Sequence, residues 1–210
     1  MKPPEDAKGF WRFMLLLFAE FFNLISANLI FLVTAVGIVT IPAGLAGLSV
    51  ITMEMMAGKG DGVVRTYFSV FRTKFLRFLG IGAIHLFATL ILGAAFLLYG
   101  SLGQEQNPFF YIPAGMAVLL ELGIQMCAVC VYPVAAFTRR RGKDLFSTVL
   151  QTVRKHAVRC FAAAGICCLL SAVSVLLFPG SLIFVLFIQF SFESFIASFI
   201  MYPALTPYLG

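Results

Sequence analysis

Three carboxylates sit inside long apolar runs, each with an amide one helical turn away: Glu20 with Asn23, Glu121 with Gln125, and Glu193 with Gln189. Spacings of i,i+3 and i,i+4 put both members of a pair on one helix face. His85 adds an imidazole within "LGIGAIHLFATLIL". An ionisable group at mid-bilayer costs about 2.5–3.5 kcal/mol on insertion scales, so each of these residues needs a compensating partner. Two chemistries would supply one. In the first, each carboxyl carries a proton and hydrogen-bonds between helices, holding a bundle together. In the second, the polar faces point at one another and handle a proton or a solute. Both expectations gather Glu20, Asn23, His85, Glu121, Gln125, Gln189 and Glu193 as a candidate intramembrane polar core.

The other reactive side chains suggest less. "CAVC" (Cys127–Cys130) and the Cys167–Cys168 pair could be redox-active or bind a metal. Both readings need a second ligand pair or an exposed electropositive setting. Here the thiols stand in apolar runs, where cysteine behaves as a small hydrophobe. His156 lies in a basic stretch and reads as a neighbour of charges. The sequence holds no phosphate loop, zinc-protease motif or nucleophile elbow. No catalytic residue, cofactor or metal is therefore expected, and the chain is not expected to be an enzyme.

The elements that must position these groups follow from composition. Of 210 residues, 61% are apolar and 11% charged, against about 25% charged in soluble domains. Apolar runs recur along the whole length, which predicts an all-α, polytopic helical membrane bundle forming one integral membrane domain over 1–210. Six segments are expected: Phe10–Val36, Ile41–Ala57, Leu79–Tyr99, Phe109–Phe137, Cys160–Phe178 and Ser181–Tyr202. The second is short for a core of about 30 Å and would be tilted or re-entrant. The first is too long and too polar for a cleaved leader, so a retained span is expected.

Charge sets the expected threading. Of the fifteen Lys and Arg residues, twelve lie in two blocks, Lys59–Arg77 and Arg139–Arg159. Basic loops beside membrane spans are cytoplasmic, and no nucleic-acid partner is expected from such a distribution. Six crossings then place both termini in the cytoplasm, in keeping with Lys2, Lys8 and Arg12. Each block reads as an amphipathic helix on the cytoplasmic surface, with Asp61 and Asp144 as N-caps. The apolar face is expected at Val64, Tyr67, Phe68, Phe71, Phe75 and Phe78 in one, and at Leu145, Val149, Val153 and Ala157 in the other. Arg65, Phe71, Arg72, Lys74, Phe75, Arg77, Arg139, Arg140, Arg141, Arg154, Lys155 and Arg159 form a candidate face for docking a partner or binding anionic lipid. The blocks share a five-residue spacing, Arg72 to Arg77 and Arg154 to Arg159. An internal duplication, with repeats over 41–100 and 109–180, would produce this. So would two unrelated basic loops.

The segment "NLIFLVTAVGIVTIPAGLAGL" (Asn28–Leu48) resembles the signature of the YesL-like family of bacterial integral membrane proteins, which have a domain of unknown function. An Asn-Leu pair, an apolar run, a Gly and a Pro followed by small residues carry the likeness. A basic, Gly-containing loop and an aromatic-rich helix, "GKGDGVVRTYFSVFRTKF", follow. The chain departs from the pattern at Phe31, where the family often has Trp, at Ile41, and in lacking an Arg-Lys pair at Met53–Gly58. The resemblance implies a bacterial plasma-membrane protein encoded near carbohydrate-uptake systems. The expected role is an accessory or scaffolding component, with a carbohydrate-uptake transporter subunit as partner. A proton-coupled small-solute transporter or channel using the midplane glutamates is the alternative.

Overall fold

The structure, a computed structural model, describes residues 9–59 and 62–208. Lys2, Lys8 and the expected cap Asp61 lie outside the described residues. Among those described, the secondary structure is helical throughout: α1 (Gly9–Ala35), α2 (Ile41–Met56), α3 (Val63–Glu105), α4 (Tyr111–Phe137), α5 (Gly142–Lys155), α6 (Ala157–Leu176), α7 (Leu182–Phe187) and α8 (Gln189–Leu205), with three short 3-10 turns. Four helical stretches are long and apolar enough to cross a membrane: Gly9–Ala35, Val63–Glu105, Pro108–Phe137 and Ala157–Leu176.

The outer surface is greasy, with Phe18, Phe22, Ile84, Phe87, Leu97 and Leu119 all exposed, whereas Asn28, Thr52, Gln189, Ser191 and Ser198 are buried. A large contiguous apolar exterior requires a non-aqueous cover or a partner, and with four such helices the cover is a bilayer.

Two of the six expected segments differ from span-length helices. The 16-residue α2 occupies the centre of the bundle, packed by α1, α3, α4 and α8, with most of its side chains buried. Pro42 stands in its first turn, where a missing N–H costs nothing. The expected segment Ser181–Tyr202 is divided at Ile188, which ends α7 and precedes α8. The apolar run there carries no Gly or Pro to announce the break.

The first amphipathic block is not a separate surface helix. It is the N-terminal part of α3, which runs 43 residues without interruption, about 65 Å at 1.5 Å per residue. The second block is a distinct helix, α5, ended by the irregular backbone at His156. This difference leaves the two candidate repeats unlike in architecture. Tyr67 and Phe78 are buried and Phe71 and Phe75 partly so, but Val64 and Phe68 are exposed, so the inward face of α3 is rotated toward Val63. In α5, Leu145 and Val149 are buried and Val153 packs against them, while Ala157 begins α6 and is exposed. Asp144 sits inside the first turn of α5 instead of capping it, still a favourable place for an anion at a helix N-terminus.

Candidate functional site: a divided polar interior and a basic cleft

The three Glu–amide pairs close within their own helices. Asn23 Nδ2 donates to Glu20 Oε2 at 2.6 Å, Gln125 Nε2 to Glu121 Oε1 at 2.6 Å, and Gln189 Nε2 to Glu193 Oε1 at 3.1 Å. Two of the carboxylates also tie helices together. Thr89 of α3 donates to Glu121 of α4 at 3.1 Å. Ser171 of α6 donates to Glu193 of α8 at 2.8 Å. His85 Nδ1 lies 3.2 Å from the Tyr132 hydroxyl of α4.

Glu20 and Asn23 stand apart from this group. They are on α1, which packs against α2, α3, α7 and α8, and Glu20 takes its side-chain hydrogen bond from Asn23. The structure thus gathers Thr89, Glu121 and Gln125, with His85 on Tyr132, between α3 and α4, and Ser171, Gln189 and Glu193 between α6 and α8, and leaves the α1 pair by itself. Among the described residues, three buried polar atoms of these two clusters have no partner: His85 Nε2, Glu121 Oε2 and Gln189 Oε1. Unsatisfied buried groups are costly and are the ones a proton or a small ligand would serve.

A polar residue outside the expected core holds the last helix pair. Asn28, fully buried on α1, donates from Nδ2 to the carbonyls of Val185 (3.1 Å) and Leu186 (2.9 Å). Its Oδ1 accepts from the backbone N–H of Ser191 at 3.1 Å. The amide therefore serves the end of α7 and the start of α8 together, where the break at Ile188 leaves backbone groups free. The signal available in the sequence was an amide inside a span and its place in the Asn-Leu pair. Its partners are backbone atoms, which no residue pattern marks.

The two basic blocks meet at one end of the bundle. Lys74 and Arg77 of α3 reach across to the C-terminal end of α4. Lys74 Nζ donates to the Ala136 carbonyl, and Arg77 donates to Thr138 O at 2.8 Å and to Arg140 O. Cations at a helix C-terminus satisfy its free carbonyls and oppose its dipole. Arg140 in turn donates to Thr148 Oγ1 of α5 at 2.5 Å. These three side chains of the candidate docking face are thus engaged internally, and Phe71 and Phe75 pack into the bundle. Arg65, Arg72, Arg139, Arg141, Arg154, Lys155 and Arg159 keep exposed positions. Replacing Arg77 with Leu strips charge-assisted bonds from two carbonyls, each worth about 1.5–3 kcal/mol. The expected result is an SDS-unfolding midpoint well below that of the parent. A midpoint equal to the parent's would show that the bridge between α3 and α4 carries no stability.

Between α3, the α4–α5 junction and α5 opens a cleft of about 1370 Å³. Its lining includes Arg72, Lys74, Arg77, Arg139 and Arg141 and, among the described residues, no acidic one. No protein family, curated protein or solved structure matches the chain. The likeness of Asn28–Leu48 to the YesL-like signature thus stands on its own residues. Among the described residues no group of three or more His, Cys, Asp or Glu side chains could hold a metal ion.

Proposed function

We propose that the protein is an accessory or scaffolding component of a plasma membrane, which docks an acidic partner on a cationic layer at one end of its helical bundle. The observation that carries this reading is the meeting of the two basic blocks, with Arg77 bridging them and Arg65, Arg72, Arg139, Arg141, Arg154 and Arg159 left exposed around that bridge. Arg154, Lys155 and Arg159, exposed around the α5–α6 junction, supply the part of this layer that lies outside the basic cleft. In this reading α2 and the α7–α8 pair add two crossings to the four long helices. Both termini and both basic blocks then face the cytoplasm. Placement in a bacterial membrane, beside a carbohydrate-uptake system, comes from the YesL-like resemblance.

Purification of the intact complex from native membrane in mild detergent tests the reading. Charge reversal at Arg154, Lys155 and Arg159 is expected to release an acidic partner retained by the parent chain, as should high salt. Retention of the same partner by the triple variant would end it.

A second reading is favoured by the unpartnered Glu121 Oε2 and His85 Nε2 atoms. Here the α3/α4 and α6/α8 carboxyls couple a proton to the passage of a small solute. Glu121→Gln and Glu193→Gln would then each abolish pH-driven flux in proteoliposomes while preserving the fold. Undiminished flux in the double variant excludes it.

A further inference from the structure

The geometry points to a built-in site for one anionic glycerophospholipid, its phosphate in the basic cleft and an acyl chain in an apolar slot that adjoins it. This inference is independent of any docking partner, because the Arg154–Arg159 surface is not part of the cleft.

The slot holds about 620 Å³ and is lined by α3, α4 and α5. It shares Ile81, Ile84, Gly142 and Leu145 with the basic cleft, so the two adjoin along α3 and the start of α5. Apart from His85 and Cys127 its lining carries no polar side chain. Along α4 it extends from Leu119 to Val131, twelve steps or about 18 Å. That is close to one leaflet of a hydrocarbon core about 30 Å thick. A cationic mouth leading into an apolar groove of single-leaflet length matches an amphiphile with an anionic head, and a soluble anion would leave the groove unused.

The mouth is also incomplete without an anion. Five cations line it and, among the described residues, no acid does, a repulsive arrangement that Asp144 in the first turn of α5 offsets only from outside the lining. Lys74 and Arg77 are partly relieved by the carbonyls of α4 and the α4–α5 turn, yet Arg77 Nε is buried with no acceptor among the described residues. Arg72, Arg139 and Arg141 are exposed around the rim. Guanidinium groups bind phosphate oxygens in pairs. Gly142 and Leu145, from the first turn of the 14-residue α5, line the same mouth, adding the positive end of a helix.

Native mass spectrometry of the full chain in mild detergent tests the site. The probes are dioleoyl phosphatidylglycerol, phosphatidylcholine with the same chains, and glycerol 3-phosphate as a head without chains. One phosphatidylglycerol per chain should be retained, with phosphatidylcholine held about tenfold more weakly or worse. Arg139→Glu with Arg141→Glu should reduce retention about tenfold, whereas Arg154→Glu with Arg159→Glu should not. The Cβ of a residue at position 123 would meet nothing within 4 Å, so Gly123→Trp can fill the slot without disturbing the interior, and it should also expel the lipid. Should the Glu pair fail to fold, Arg139→Gln with Arg141→Gln gives the same comparison at lower charge change.

Equal retention of the two lipids, or of phosphatidylglycerol by the Arg139/Arg141 pair and the parent, would overturn the site. Displacement by glycerol 3-phosphate would assign the mouth to a soluble anion and refute the lipid. Unchanged binding in Gly123→Trp would remove the chain from the slot. None of these outcomes bears on release of an acidic partner by the Arg154–Arg159 triple variant, so the two readings fail separately.

Discussion

Asn28→Leu is expected to destabilise the folded bundle by about 3–5 kcal/mol, although Leu has the same heavy-atom count and branching as Asn. The substitution removes an amide that serves two carbonyls of α7 and one N–H of α8. Each buried backbone group left without a partner costs about 1–3 kcal/mol, and no water is at hand within a bilayer to take over. The helix break at Ile188 cannot relax into one continuous helix cheaply, because Phe195, Met201 and Leu205 of α8 are already fixed in the core. Asn23→Leu is the control. Asn23 bonds to Glu20 on its own helix, so its loss should cost well under half as much. SDS titration of the two variants in parallel makes the comparison. An Asn28→Leu midpoint no lower than that of Asn23→Leu would mean that α7 and α8 are held by packing alone.

The contrast between these two amides also explains what could be read ahead of the structure. The Glu–amide pairs depend on local helical periodicity, and each spacing returns as a hydrogen bond between the expected partners. Their convergence across helices depends on which faces meet, and there Glu20 and Asn23 part from the rest. Asn28 gives no such local sign, since its partners lie 157 to 163 residues away. The helix class and the four long apolar helices were legible from uninterrupted runs of apolar residues. The division at Ile188 was not, because the bonds that satisfy its backbone groups come from Asn28 on α1. Likewise, the charges of Lys74 and Arg77 were plain, but their use on the carbonyls of α4 became visible only once α3 proved to be one continuous helix. Arg72, Arg139 and Arg141 form a common mouth for the same reason: residues more than sixty positions apart are brought together by the α3–α4 packing.

Gly82→Ala and Gly80→Ala, two positions apart on α3, are expected to change stability in opposite directions. In an unobstructed helix, Gly→Ala is worth up to about 1 kcal/mol of stabilisation. At Gly80 a Cβ would meet nothing within 4 Å, so that gain should appear. At Gly82 the added carbon would collide with the ring of Pro42, and the Pro42 Cα lies only 3.3 Å from it. A proline ring in the first turn of α2 has little freedom to move aside. The helices must therefore separate, and overpacking of this kind costs about 1–3 kcal/mol. Separation would propagate, because α2 also buries Gly44 and Gly47 against Tyr67, whose ring atoms approach to 2.8 Å of a Cβ built at Gly47. Tyr67 is tied to α1 by a 2.5 Å hydrogen bond between its hydroxyl and Thr34, so one methyl group at position 82 strains the joint of α1, α2 and α3. Gly82→Leu should reduce the yield of folded protein severely. Equal, favourable shifts for both alanine variants would instead place α2 farther from α3, and with it remove the central support on which the α3–α4 cleft depends.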